Sequence, residues 1–324
     1  MRDIIKKWPA RKTLSMKPKF SLIYTSVILL SFFFFLSDNI LALDYAGLSI
    51  SPPSFELSAN PGGTLENTIK VENVSAETLK IAVDRRNFTA VGEEGAVGLT
   101  EEETNFSLAS WITVTPPEAE IPAKSTRIFN FKINVPLNAE AGGHFGSIVF
   151  RIGGGPITQT GASVTQELGA LILLRIAGKT TEEATLQSFF TQKKFWEYGP
   201  VEFEIKTKNS GNVHLKPKGT ITISNSFGKK VGVVEVEPKN VLPGAVRKST
   251  ASWGKKILLG KYTAVLSLVY GAGSGKMITG STTFIGFPYR IGGVVLAVLL
   301  VLFFLLYRGR KRIRLALRVL FSAR

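Results

Sequence analysis

The 324-residue chain contains no cysteine. That absence excludes a disulfide framework, a thiol nucleophile and thiolate metal sites, so whatever folds must be held by its core. Histidine is nearly absent too: His144 and His214 are the only two, and they fall in different halves of the chain. No His-x-x-x-His ligand pair and no Ser-His-Asp order can be drawn from such a set. Long amphipathic helical periods are missing between residues 47 and 286, and acidic residues are missing from the C-terminal end. With 31 glycines and 15 prolines, the middle of the chain reads as strands and turns.

The formal charge of +16 is concentrated at the ends. Residues 1–19 carry Arg2, Lys6, Lys7, Arg11, Lys12, Lys17 and Lys19 against Asp3, and residues 308–324 carry seven basic residues and no acid. Removing both ends leaves 26 basic and 23 acidic residues, so no general basic surface for nucleic acid remains. Each basic end flanks an apolar run. Phe20–Leu36 reads as the hydrophobic core of a signal peptide or signal anchor, with Ala42 and Ala46 as small residues near a cleavage point. Ile291–Tyr307 is uncharged and, extended by Phe284, Ile285 and Phe287, approaches the ~20 residues of a membrane span. Arg308, Arg310, Lys311, Arg312, Arg314 and Arg318 follow it at once, which places that end in the cytoplasm and the middle of the chain outside. Leu315, Leu317, Val319, Leu320 and Phe321 interleave with the arginines, as in a short amphipathic helix along the inner leaflet.

Between the two runs, apolar and polar residues alternate: Leu65, Ile69 and Val71; Leu79, Ile81 and Val83; Phe129, Phe131 and Ile133; Val201, Phe203 and Ile205. This is the period of half-buried strands. Leu168–Ala177 is almost continuously apolar, as in a central strand buried on both faces. Three local patterns recur in order. Val71-Glu72-Asn73 is echoed by Thr207-Lys208-Asn209, Ile121-Pro122 by Leu242-Pro243, and Gly143-His144-Phe145 by Gly260-Lys261-Tyr262. Two β-sandwiches of one type, 44–177 and 178–286, account for this; one large sandwich is the alternative. The first stretch holds 15 acidic and 9 basic residues, whereas residues 178–290 hold 7 acidic and 17 basic. Lys216, Lys218, Lys229 and Lys230 are candidates for attraction to an anionic polymer.

Candidate chemistry is sparse. His144 and His214 both follow turn signals. Gly178-Lys179-Thr180 fails the spacing of a phosphate loop because Leu173 stands where its first glycine belongs. Glu93, Glu94, Glu101, Glu102 and Glu103 lack the alternating spacing of a calcium loop. Trp111 and Trp253 read as core aromatics, with sugar stacking as the alternative. Asn73, Asn87 and Asn105 open glycosylation-type triplets, and Gly153–Gln166 reads as a long polar connection of the kind that often binds. No catalytic residue, cofactor or metal ligand is expected, and no ligand-binding residue is singled out.

Several stretches together resemble the bacterial WxL-interacting surface proteins: Asn60-Pro61-Gly62-Gly63 with Thr68–Asn73, Trp111-Ile112 with Ile121–Ser125, Ala139–Ile148, Leu171–Leu174, Asn209–His214 and Leu259–Tyr262. The resemblance covers most of residues 48–270. It implies an all-β chain of two Ig-like β-sandwich domains, the first corresponding to a peptidoglycan-binding domain and the second to a partner-binding one. The flanks are then a signal helix over 1–43, a C-terminal transmembrane helix over 287–307 and a basic tail over 308–324. The expected role is a non-catalytic, membrane-anchored cell-envelope protein whose partners are membrane lipid and peptidoglycan or another surface protein. The alternative is a chaperone-like surface-assembly module that pairs with a partner's strand.

Overall fold

Alternation between apolar and polar residues becomes alternation between core and solvent wherever a sheet has one covered face. The computed structural model describes residues 47–153, 166–271, 273 and 275–321, with the backbone alone for 311–321. The signal segment, Ala42 and Ala46, and nearly all of the polar connection from Gly153 to Gln166 lie outside the described residues.

The first ten strands are β1 (Leu48–Ser51), β2 (Ser54–Ala59), β3 (Thr64–Asn73), β4 (Leu79–Val91), β5 (Ala96–Thr100), β6 (Ile112–Thr115), β7 (Glu118–Ile121), β8 (Thr126–Asn134), β9 (Gly142–Ile152) and β10 (Glu167–Ile176). They form one sheet in the order β1-β3-β8-β6 and a second in the order β2-β10-β9-β4-β5, with β7 also pairing β4. A single 3-10 turn, Ala109–Trp111, leads into β6. The next eight strands are β11 (Ala184–Thr191), β12 (Phe195–Trp196), β13 (Val201–Asn209), β14 (Lys218–Asn225), β15 (Lys230–Val236), β16 (Val246–Trp253), β17 (Gly260–Tyr270) and β18 (Lys276–Gly286). Their sheets run β11-β13-β16 and β12-β18-β17-β14-β15. Helix α1 (Tyr289–Phe321) follows after two residues.

The described residues are therefore all-β apart from that helix and the 3-10 turn, and they carry two Ig-like β-sandwiches. Both are wound the same way. An opening strand splits between the two sheets, β1 and β2 in the first sandwich and β11 and β12 in the second. Its second part pairs in parallel with the last strand, β2 with β10 and β12 with β18.

Each sandwich closes on its own apolar cluster. In the first, Ile69, Phe129, Phe131 and Ile133 from one sheet meet Ile148, Phe150, Ile172 and Leu174 from the other. In the second, Val201, Phe203 and Ile205 meet Ile221, Leu266, Leu268 and Phe284. Each such buried side chain contributes roughly 1.5–3 kcal/mol.

Of the three sequence echoes, the asparagines occupy matching places, and the other two are one residue out of step. Val241, not Leu242, stands opposite Leu215 as Ile121 stands opposite Leu79. Phe145 lies in a separate cluster outside the first core, whereas Tyr262 lies inside the second. Asn73 ends β3 and Asn209 ends β13, and both side chains are buried. Asn73 donates through Nδ2 to the carbonyls of Glu77, Ile121 and Pro122, and its Oδ1 accepts from the backbone N–H and hydroxyl of Ser75. Asn209 donates to the carbonyls of Val213 and Val241 and accepts from the N–H of Gly211. In each sandwich one amide thus satisfies a tight turn and the approach to β8 or β16, where buried carbonyls would otherwise lack partners. Gly142 and Gly260 begin β9 and β17.

Candidate binding surfaces: the junction and the open strand edges

The outer face of the sheet containing β10 explains the continuous apolar run in that strand. Ala170, Ile172 and Leu174 point into the first core, while Leu173 on the opposite face joins Phe88 and Phe145 in a separate cluster. Leu171 and, from the second sandwich, Leu242 pack against that cluster. The strand is buried on both faces because a second sandwich sits on one of them.

Polar contacts fix this junction. Gly143 N–H donates to Asn212 O at 2.8 Å and Asn212 Nδ2 to Ala141 O at 3.0 Å. Gly142 has a φ of 141°, and a side chain there would press on Asn212. A Cβ at Gly95, φ 89°, would overlap the Arg247 guanidinium, so glycine is required for this close approach. Lys216 bonds Glu56 at 2.7 Å, and Asn240 Nδ2 donates to the same carboxylate oxygen at 2.8 Å. Glu93 pairs with Lys206 at 2.6 Å, Glu94 pairs with Lys248 at 2.9 Å, and Arg175 pairs with Glu182.

The hydrogen bond from Lys216 holds the Glu56 carboxyl below its ordinary range. The bonds from Glu93 and Glu94 raise the Lys206 and Lys248 ammonium groups. The acidic and basic excesses of the two stretches thus meet at a common face.

His214 lies there too, edge-on to Phe145 with ring centroids 5.9 Å apart. Burial lowers its pKa, and its Nδ1 has no protein partner. His144 is fully inside: its ring nitrogens face the carbonyls of Ser107 at 3.1 Å and Glu140 at 3.0 Å, and Trp111 packs on it at 4.5 Å. His144 is held within the first sandwich and His214 lies at the junction, so the two form no pair.

Several sequence candidates are redistributed. Lys216 and Lys218 stand at the junction end of the second sandwich, whereas Lys229 and Lys230 stand at the far end of the β14–β15 turn, so the four make no single patch. Asn73 and Asn87 are buried with bonded side chains, which removes them as glycan acceptors in the folded chain. Trp253 is buried against Tyr262 and Phe284. Glu93 and Glu94 of the acidic group are taken by lysines, and among the described residues no cluster of three or more His, Asp or Glu is placed to hold a metal.

Two clefts flank the Leu242 contact. One, of about 230 Å³, is lined by Ala96 and Val97 of β5, Leu171 and Leu173 of β10, and Val246 and Arg247 of β16. The other, of about 470 Å³, is lined by Phe88, Phe106, Phe145, Leu242 and Pro243 together with polar residues that include Asn87, Glu102 and Asn105.

Two open strand edges converge on the first cleft. Among the described residues β5 pairs only with β4, and β16 pairs only with β13 apart from a Lys248 N–H bond to Glu93 O at 2.7 Å. The β5 sequence AVGLT has no charge and no proline, and Val97, Leu99 and the adjacent Val91 are exposed. Natural edge strands usually carry such guards. This edge was missed in the sequence, where it reads as a short apolar stretch beside three glutamates.

Helix α1 contains one segment, Tyr289–Arg310, with a mean hydropathy of 2.5, long and apolar enough to cross a membrane. The helix runs unbroken to Phe321, so the basic tail continues it where a separate surface helix was expected.

No protein-family model matches the chain, and no curated protein matches it. Solved structures with a similar arrangement include the class 5 fimbriae chaperone CfaA, 16% identical over 74% of this chain and 99% of that chain, TM-score 0.38. The E. coli chaperone DraB is 12% identical over 74% and 96% of the two chains, TM-score 0.35. The CsuC–CsuE chaperone-tip adhesion subunit pre-assembly complex from Acinetobacter baumannii is 13% identical over 63% and 89%, TM-score 0.35. At such scores function has to be read from this chain's own strands.

Proposed function

We propose that this chain is a non-catalytic envelope protein, held by α1 in a membrane with its sandwiches outside, that binds a protein partner by adding the partner's strand to β5. The observation that carries this reading is the unguarded β5 edge beside an apolar cleft. An exposed ladder of N–H and C=O groups supplies affinity, and Val97, Leu99 and the cleft supply side-chain selectivity. The basic run after Tyr307 favours a cytoplasmic C-terminus. Membership of the WxL-interacting proteins is compatible with this layout and would make the partner another surface protein.

Recognition of wall glycan gains little from the tryptophans, since Trp253 is buried and Trp111 is packed on His144. The test places a photo-crosslinking residue at Val97 in cells making the full chain and maps hydrogen exchange over Ala96–Thr100. A crosslinked protein whose binding protects those amides, lost in Leu99→Lys, is the expected result. Retention on purified wall that is unchanged by Leu99→Lys and leaves the β5 amides exchanging freely would return the function to glycan binding.

A further inference from the structure

The second sandwich has two unlike ends. One carries the junction with the first sandwich; the other carries the turns 192–200, 226–229 and 254–259 together with the start of α1. Register places them side by side: Phe195 and Trp196 pair with Ile285 and Gly286, Asn225 pairs with Tyr262, and Val201 with Trp253.

This far end is apolar where a soluble surface would be polar. Phe227 is 93% exposed, Phe195 70%, Ile257 65% and Leu259 63%, and Tyr198 is exposed beside them. Phe195 lies in the two-residue β12, and the others stand on turns, where no strand pattern requires an apolar residue. Around them lie exposed lysines: Lys193 and Lys194 on one turn, Lys229 and Lys230 on another, and Lys255 and Lys256 on the third. The acid among these turns, Glu197, is paired with Arg290 at 3.4 Å.

The distance to the membrane segment is short and fixed. Only Phe287 and Pro288 separate β18 from α1, so the Cα atoms of Gly286 and Tyr289 are at most about 11 Å apart. Phe287 N–H donates to Trp196 O at 2.9 Å, and Arg290 N–H to Glu197 Oε1 at 3.2 Å. Tyr198 and Ile257 form a further bridge between the turns. The helix start is bonded to the segment that exposes Phe195 and Tyr198.

We infer that this end of the second sandwich seats in the outer leaflet of the bilayer that α1 crosses, with Phe195, Tyr198, Phe227, Ile257 and Leu259 in the interfacial region and the lysines on anionic headgroups. The inference rests on the reading of α1 as a membrane span. Apolar side chains at an interface bury ~5–10 Å deep, within reach of turns tied to the helix start. Lysines close to an anionic surface add electrostatic attraction that fades within a Debye length. The sandwich is then footed on the membrane at several points.

The absence of cysteine permits a direct test on the full chain in lipid vesicles. Single substitutions Phe227→Cys, Ile257→Cys, Leu299→Cys and Leu137→Cys are labelled with a fluorophore, and quenching by nitroxides at headgroup, shallow or deep acyl positions is measured. Vesicles are phosphatidylcholine with or without phosphatidylglycerol. Shallow quenching at Phe227→Cys and Ile257→Cys, deep quenching at Leu299→Cys and none at Leu137→Cys, on the first sandwich, is expected. Phosphatidylglycerol should strengthen the quenching at Ile257→Cys, and Lys255→Glu with Lys256→Glu should abolish that gain. Deep quenching at Leu299→Cys without quenching at Phe227→Cys or Ile257→Cys overturns the seating while the span stands. Loss of quenching at Leu299→Cys overturns the span and the seating with it. Shallow quenching that ignores phosphatidylglycerol and the charge reversals overturns the role given to the lysines.

Discussion

The two sandwiches share a strand order and differ most in one connection. In the first, residues 101–125 run from β5 to β8 through the 3-10 turn, β6 and β7; in the second, residues 237–245 run directly from β15 to β16. The long connection lets β6 cover the outer edge of β8 and lets β7 pair with β4, Leu79 opposite Ile121. The short one keeps only a single bridge at the matching place, Leu215 opposite Val241, and leaves β16 without an outer neighbour. The turn between β4 and β5 of the first sandwich lies against that edge, with Glu93 O on Lys248 N–H and Gly95 on Arg247. The shorter connection in the second repeat thus provides the seat for the first.

The largest test of this pairing is Phe145→Ala. Phe145 is buried at the junction against Phe88, Phe106 and His214, and truncation of such a ring costs ~3–5 kcal/mol. Denaturant unfolding should change from one transition to two as the sandwiches uncouple. A single unshifted transition would break the idea that they stabilise each other.

The buried asparagines come next, and they rank the two repeats. Asn73→Ala abandons the partners of five hydrogen bonds and Asn209→Ala those of three. At ~1–3 kcal/mol per buried group left unpaired, with part of the loss recovered by water, the costs should be about 3 and about 2 kcal/mol, with Asn73 the larger. Calorimetry on the two variants checks the order, and equal losses would mean that the staples are not graded by their bonds.

Acidification should loosen the junction through His214 and through its paired carboxylates, of which Glu56 is one. The His214 pKa is lowered by burial, with Arg175 and Lys216 adding to the effect and Glu56 opposing it, so the neutral ring favours the folded state. Its contribution is complete above the ordinary imidazole value of about 6.5 and is lost as pH falls below it. The Glu56 pKa is lowered by Lys216, so its contribution is present above the ordinary carboxylate range and is lost as pH falls through the folded value. Stability measured against pH should fall in two limbs. His214→Gln should erase the upper limb and Glu56→Gln should shrink the lower, to which Glu94 beside Lys248 also contributes.

The smallest effect on stability belongs to the open edge. Leu99→Lys, on the exposed β5, should change unfolding free energy by no more than ~0.5 kcal/mol while removing partner capture. Equal loss of both would make β5 a structural strand and not a docking one.

Much of the fold was legible residue by residue. Alternation in Leu65–Val71, Phe129–Ile133 and Val201–Ile205 marks strands with one covered face, and these are β3, β8 and β13. The apolar run Leu168–Ala177 announces a strand covered twice, although not what covers it. The asparagine echo marks an equivalent corner because a buried carbonyl needs a donor wherever the same turn recurs, while the other two echoes fall one residue off the structural match. The binding surfaces were less legible, since an edge strand is defined by the absence of a neighbour, and no local pattern in AVGLT reports which strands lie beside it.

The sequence by itself determined the β character, the repeat, the apolar helix and the segregation of charge between the two stretches, because periodicity, composition and the order of residues along the chain carry them. Only the tertiary structure decided that the opposite charges of the two stretches face each other through Glu56, Glu93 and Glu94, and that Lys216 and Lys229 lie at opposite ends of one sandwich. It also gathered Phe195, Phe227 and Ile257 around the start of α1. These facts depend on strand pairing across long sequence separations, and a chain read in one dimension contains the residues but not their neighbours.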